Sequence, residues 1–256
     1  DEPEPENQKE EHQSYSGYEQ AQRYRAAKAV LQDIYALDAE HAEAVKALEQ
    51  LWEEGYTVAA HQLGKFYRDD LSTLRDHEKA EEWFRRSAEA GNDFSEYALG
   101  KLLLTQKRWE EALGWLGKAA DHGNQFARYR LGKIYLAGES VPKDVAKALA
   151  YLTASADQGN QFAQYTLGKL YLLGRDVPPD REQAREWLIR AAAQGNEYAR
   201  FFLDHFDQFR DPSVMLAASK LLHHMSRIFQ NNSIPPVNPA GIRIDSKRRR
   251  RLMEKR

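Results

Sequence analysis

The chain has 256 residues, 42% of them apolar and 30% charged, and a net charge of −2. It has no cysteine, which excludes disulfide frameworks, thiolate metal sites and cysteine nucleophiles. No apolar run approaches the roughly 18 residues of a membrane span and no leader pattern occurs, so a cytoplasmic protein with no membrane contact is expected.

The charge is uneven along the chain. Residues 1–11 hold six acids against Lys9, whereas residues 243–256 hold eight basic residues against Asp245 and Glu254. The chain starts at Asp1 rather than at a methionine, which suggests a segment of something longer. Residues 1–16 contain two prolines and no apolar residue but Tyr15, and are expected to be a disordered acidic linker. Two helical patterns follow in 17–54: Tyr24, Ala27, Leu31, Ile34 and Tyr35, then Ala44, Leu48, Leu51 and Trp52. They predict a degenerate helix hairpin that caps the N-terminal end.

From Gly55 the sequence repeats itself. The units are 55–90, 91–122, 123–158 and 159–194, with a half-repeat at 195–209, and the last two full units are nearly the same sequence. Self-similarity at a period of 20–50 residues marks a stacked repeat architecture. Each unit predicts two helices, for example Ala127, Leu131, Ile134 and Tyr135, then Ala148, Tyr151, Leu152, Ser155 and Ala156, with Gly138 and Pro142 between them. Gly55, Gly91, Gly123, Gly159 and Gly195 close the second helices, where a left-handed residue is wanted, and Asn follows the last four. The unit 91–122 lacks four loop residues near Thr105–Lys107, a surface deletion that leaves both packing faces intact.

Leu-Gly-Lys recurs at Leu63, Leu99, Leu131 and Leu167. A glycine inside a helix costs about 1 kcal/mol relative to alanine, so four at one position imply close approach of a neighbouring helix. After the array, Asp211-Pro212 predicts a helix start. Val214, Ala217, Ala218, Leu221, Leu222, Met225, Ile228 and Phe229 then make an apolar stripe. Residues 210–232 are read as a C-terminal capping helix, with a docking helix as the competing reading. Residues 233–256 hold three prolines and then Lys247, Arg248, Arg249, Arg250 and Arg251, an extended linker and basic tail.

Ala-x3-Leu-Gly-x2-Tyr-x2-Gly, then Val-x2-Asp, Ala-x2-Trp/Tyr-Leu and a closing Gly resembles the Sel1-like repeat, a relative of the tetratricopeptide repeat. Residues 127–159 and 163–195 match nearly throughout, including Gly138, Val141 and Asp144, and Gly174, Val177 and Asp180. The resemblance implies an all-α, right-handed α-solenoid of helix hairpins that serves as a protein–protein interaction scaffold or adaptor. Residues 195–256, through FFLDHFDQFRDPS, LLHHMSRIF and GIRIDSKRRRRLMEKR, are also similar to the end of mobilisation relaxases of bacterial conjugative elements. That likeness implies an accessory region on a mobile-element protein, without the nicking chemistry.

No catalytic constellation stands out, and the sequence predicts no enzyme, no cofactor, no metal and no small-molecule substrate. The eight histidines include no i, i+4 pair with a nearby acid, and there is no phosphate-binding glycine loop. One recurring constellation does stand out. His61, Tyr97, Tyr129, Tyr165 and Phe201 each stand two residues before the recurring leucine, and Lys65, Lys101, Lys133 and Lys169 two after it. Each aromatic–lysine pair is i, i+4, on the helix face opposite the leucine. Two readings stay open: a concave groove that takes an acidic peptide or protein segment, or lysines that solvate the face while tyrosines pad the contact between repeats. The basic tail adds possible phosphate contact with DNA, dependent on salt and indifferent to sequence.

Overall fold

The computed structural model describes residues 6–33, 36–69 and 75–207, with Val214, Ala217, Lys220 and Leu221; side chains are described from Gly17 onward. Among the described residues all regular structure is helical, in eleven helices followed by those four helical positions. They are α1 (Glu6–Gln32), α2 (Asp38–Glu53), α3 (Val58–Arg68), α4 (His77–Glu89), α5 (Asp93–Thr105) and α6 (Trp109–Asp121), then α7 (Gln125–Ala137), α8 (Val145–Asp157), α9 (Gln161–Leu173), α10 (Arg181–Ala193) and α11 (Glu197–Asp204). The expected all-α helical repeat is therefore what the chain forms. It divides into two compact units, Asp1–Trp115 and Leu116–Arg256, with the division inside α6.

In the first unit α1 packs on α2, α2 on α3, α3 on α4 and α4 on α5. Leu48, Leu51, Leu63, Phe84, Leu99 and Leu103 are fully buried in its core. Helix α1 starts at Glu6, so residues 6–16 are helical and not the disordered linker expected from their polarity. The reason lies in the residue types: the last proline of this stretch is Pro5, and the Glu, Gln and Lys residues that follow are strong helix formers. In the second unit α7 packs on α8, α8 on α9, α9 on α10 and α10 on α11. Leu131, Leu152, Leu167, Leu188 and Phe202 are its fully buried anchors.

The Gly-Asn junctions do two jobs. Gly91, Gly123, Gly159 and Gly195 have φ of +84°, +92°, +94° and +87°, the left-handed turn that ends a helix. Paired backbone bonds close each end: Gly123 N donates to Ala120 O at 3.1 Å and Asn124 N to Ala119 O at 2.9 Å. The asparagine then starts the next helix. Asn124 Oδ1 accepts from the amides of Phe126 and Ala127, both at 3.0 Å, and Asn160 and Asn196 cap α9 and α11 in the same way. These caps are buried, so the chain reverses between repeats with its backbone groups satisfied. The second helices are capped by Asp76, Asp144 and Asp180.

Within each hairpin the Leu-Gly-Lys glycine sits against the large residue of the second helix. A Cβ on Gly64 would lie 2.6 Å from Phe84 Cδ1, on Gly132 2.7 Å from Leu152 Cγ, and on Gly168 2.8 Å from Leu188 Cγ. The close approach inferred from recurrence is thus present at these three positions. The short loop of the second repeat is Gln106–Arg108, with Lys107 in the left-handed region at φ +62°. An ion network holds it: Arg108 pairs with Glu81 at 2.8 Å and with Glu111, and Arg85 bridges Glu81 at 3.0 Å and Glu111 at 2.6 Å. Burial pushes the Glu81 carboxyl up, but hydrogen bonds from Gln106, Arg108 and Arg85 outweigh it and hold the group below the usual carboxylate range.

Of the stripe expected to form a C-terminal cap, Val214, Ala217 and Leu221 are helical and exposed. The rest of 210–232 and all of 233–256, including Lys247–Arg251, lie outside the described residues.

Glycines of α6 give an internal contrast, because a Cβ on Gly114 meets nothing within 4 Å. Gly132→Ala and Gly168→Ala should each lower stability by about 1–3 kcal/mol through overpacking. Gly114→Ala should raise it by about 0.5–1 kcal/mol. Urea unfolding midpoints measure both, and a neutral Gly132→Ala would contradict the packing argument.

Candidate functional site

The recurring aromatic–lysine rows fall on the first helices of the repeats, and their surroundings differ from one helix to the next. In α3, His61 is half-buried between repeats: its Nδ1 is 2.7 Å from Ser95 Oγ, and Ser95 Oγ donates to Ser87 Oγ at 2.7 Å. The His61 ring also lies 5.7 Å from Phe84 and 6.5 Å from Phe94. Burial first, and then the charges of Lys65, Arg68 and Lys28 against the opposing effect of Asp93, bring its pKa down to about 4. Position 61 is a packing residue that bonds the first repeat to the second. In α5, Lys101 Nζ lies 5.4 Å from the centroid of the Tyr97 ring, the i, i+4 pairing expected from the sequence.

In the second unit Tyr129 is half-buried, with its ring 6.2 Å from Phe162 of the next repeat. Tyr165 is buried at 7% exposure, between Tyr198 at 5.8 Å and Phe202 at 6.1 Å. Phe201 closes the row on α11, its ring 4.5 Å from His205, which stands where a lysine stands in the other repeats. At these positions the aromatic residues pad the stacking of repeat on repeat. The lysines behave differently. Lys133 is exposed and Lys169 half-buried, and both ammonium groups are held below their ordinary value. Partial desolvation is the larger cause in both, followed by Arg130 for Lys133, and by Lys133 and Arg175 for Lys169. Lys133 on α7 and Lys169 on α9 are thus close enough for the charge of one to act on the other.

A second aromatic row was not assigned from the sequence. Phe94, Phe126, Phe162 and Tyr198 each stand two residues after a junction asparagine; Phe94 is 53% exposed, Phe126 39% and Phe162 50%. The signal was the recurrence Gly-Asn-x-Phe/Tyr itself. Each of these rings meets the aromatic row of the preceding repeat where the pair falls within one unit, as His61–Phe94, Tyr129–Phe162 and Tyr165–Tyr198 do. Among the described residues no group of three or more His, Asp or Glu is placed to hold a metal, and no described helix is long and apolar enough to cross a membrane.

A family model described as the Sel1 repeat matches residues 57–92, 110–124, 125–160 and 161–196. The three full spans begin two residues after the glycines, and α5 of the short repeat falls between matches. A Sel1 repeat protein from Oxalobacter formigenes is 32% identical over 70% of this chain and 75% of its own, with a TM-score of 0.61. A protective antigen of uropathogenic Escherichia coli strains, displaying an SLR fold, is 29% identical over 67% of this chain and 38% of its own, with a TM-score of 0.57. The Pseudomonas aeruginosa protein 5086 is 26% identical over 72% of this chain and 69% of its own, with a TM-score of 0.50. No curated protein gives a significant match. The likeness of residues 195–256 to mobilisation relaxases is not supported by these comparisons.

His61 makes the first repeat junction sensitive to acid. Its pKa is lower in the folded chain than its ordinary 6.5, so the unfolded chain takes up the proton first. Stability is then fully present above pH 6.5 and falls as the pH drops from there toward about 4. Between pH 7.5 and 5 the chain should lose about 2 kcal/mol that His61→Gln does not lose. Urea unfolding of both at the two pH values checks this, and parallel losses would refute it.

Proposed function

This chain belongs to the Sel1 repeat family, and from that premise we propose that it is a non-catalytic cytoplasmic scaffold that binds an acidic peptide or protein segment along the outer faces of its first helices. Sel1 repeat proteins generally act as protein–protein interaction scaffolds. The observation that carries the finer reading is the recurrence, at one position of successive repeats, of exposed rings beside lysines. Phe94, Phe126 and Phe162 offer apolar surface, and Lys65, Lys101, Lys133 and Lys169 offer charge. Exposed aromatic groups beside cations suit a segment with both carboxylates and apolar side chains, because desolvated rings supply affinity while charge sets the choice of partner.

The face is built without backbone donors or acceptors, since helix amides are spent internally. A partner is therefore recognised by its side chains, and its chain can cross the repeats of one unit with no fixed secondary structure of its own. Leu131 and Leu167, which hold the hairpins, are buried in the core rather than on this face.

A random peptide library displayed on phage and panned against the full chain should enrich sequences rich in Asp and Glu with interspersed apolar residues. The triple variant Lys101→Glu, Lys133→Glu, Lys169→Glu should retain its helicity and lose the selected peptides. Enrichment that is indifferent to this charge reversal would refute the lysine face, and no enrichment at all would refute the scaffold.

A second reading concerns Lys247–Arg251, a run of five adjacent cations. Such a run binds phosphates by counterion release, without sequence choice. Labelled duplex DNA titrated with the full chain should give a log K against log salt slope of about −4.5 if the five cations all engage. A chain ending at Asn232 should not bind. Equal binding by both chains, or by neither, discards the tail as a nucleic-acid anchor.

A further inference from the structure

The form of the bound segment can be taken further in the second unit, on the footing of the scaffold reading. On α7, Phe126, Tyr129, Arg130 and Lys133 stand at i, i+3, i+4 and i+7 and form one stripe; on α9, Phe162, Tyr165 and Lys169 repeat it. Each stripe is polarised, with a half-exposed ring near the helix start and an ammonium about 10 Å further along, seven residues at ~1.5 Å each. The stripes are neighbours, because Tyr129 packs its ring against Phe162 at 6.2 Å. Their far ends are neighbours too: after desolvation, the charge of Lys133 is the next cause that lowers the Lys169 ammonium, and Arg175 adds to it.

Three acids of the second unit are engaged elsewhere. Asp176 pairs with Lys143, Asp157 with Arg190 at 3.9 Å, and Glu197 with Arg200 at 3.1 Å. Arg130, Lys133, Lys169 and Arg175 form no ion pair with any described residue, and Arg130 Nε is buried without a hydrogen-bond partner. Arg130 lies within electrostatic reach of Lys133, and Lys133 and Arg175 of Lys169, with no carboxylate paired to any of them, which leaves an uncompensated positive surface. An anionic ligand would relieve their repulsion. Its length scale is set by the repeat. Packed helices lie ~8–10 Å apart. A β-strand alternates its sides every two residues at ~3.3 Å each, and drifts out of step with that spacing. A polyproline II segment advances ~3.1 Å per residue with three residues per turn, so one turn covers ~9 Å and brings the same side chain over each successive helix.

We propose that the α7–α9 face receives an acidic polyproline II segment of a partner protein, with a carboxylate at every third residue over the Lys133–Lys169 row and an apolar side chain in the same register beside Phe126 and Phe162. The three columns of such a segment divide naturally: acids toward the lysines, apolar groups toward the rings, and the third column toward solvent. Proline suits that third column, since the face demands no backbone amide and the fixed φ of proline lowers the entropy lost on binding.

The test uses the full chain and two fluorescein-labelled twelve-residue peptides of one composition, read by fluorescence anisotropy. One repeats Glu-Leu-Pro four times; the other carries its four glutamates in a block, followed by alternating leucine and proline. The periodic peptide should bind about tenfold more tightly than the block isomer. Lys133→Gln with Lys169→Gln should abolish that preference, and Phe162→Ala should weaken the periodic peptide about fivefold. Circular dichroism checks that each variant keeps its helices. Equal affinity for the two isomers would overturn the register and leave a surface that reads net charge alone. If neither isomer binds while panned peptides still do, the polyproline form falls and the scaffold stands; if panned peptides fail as well, both fall.

Discussion

The contact on which the molecule depends is the seat of a large second-helix residue on the bare backbone of a first-helix glycine: Phe84 on Gly64, Leu152 on Gly132, Leu188 on Gly168. It fixes how closely the two helices of a hairpin approach and which way each is turned about its axis. Side chains on the remaining faces then have no freedom of placement. Leu131, Leu152, Leu167 and Leu188 lie in the core at 2% exposure or less, and what faces outward follows by elimination. An alanine at the glycine would push the second helix away by the width of a methyl group and reset that register.

The junctions transmit the register from one hairpin to the next. A glycine in the left-handed region ends one helix and a buried asparagine caps the next within two residues. So short a connection leaves the chain one way to turn. Where the loop inside a hairpin is shortened, in the second repeat, the chain spends a non-glycine residue, Lys107, on a positive φ and surrounds the turn with Arg85, Arg108, Glu81 and Glu111. The deletion is tolerated because the strain is local and the charges that hold it sit on the surface.

Much of this was legible in the sequence, because recurrence reveals geometry. Four glycines at one helix position announced the close contact, and Gly-Asn at a fixed period announced the ends. The role of asparagine as a buried cap was less legible: its partners are the amides of the residues that follow it, and composition does not display them. The start of α1 at Glu6 escaped because polarity predicts lack of burial, not lack of helix. Within the candidate site the i, i+4 pairing of Tyr97 with Lys101 was legible, while the fate of the aromatic residues was not. Tyr165 and His61 are covered by the next repeat, and burial of that kind depends on a neighbour about 30 residues away; His61 meets Ser95 at a separation of 34. Conversely Phe126 and Phe162 look like core residues by type and turn out half-exposed.

That three consecutive residues serve three purposes explains why the charged face persists. In Leu131-Gly132-Lys133 successive side chains point about 100° apart around the helix. Leu131 goes into the core, Gly132 receives Leu152, and Lys133 is carried outward toward Lys169. Mutual repulsion of the lysines cannot be relieved by turning α7, because a rotation that separates them would lift Leu131 from the core and move Gly132 off Leu152. Nor do Asp176, Asp157 or Glu197 intervene, since they are held in pairs with Lys143, Arg190 and Arg200. The packing that stabilises the hairpins thus holds Lys133 and Lys169 where their charges oppose each other, and under the proposal a ligand that brings carboxylates there gains what the fold itself leaves uncompensated.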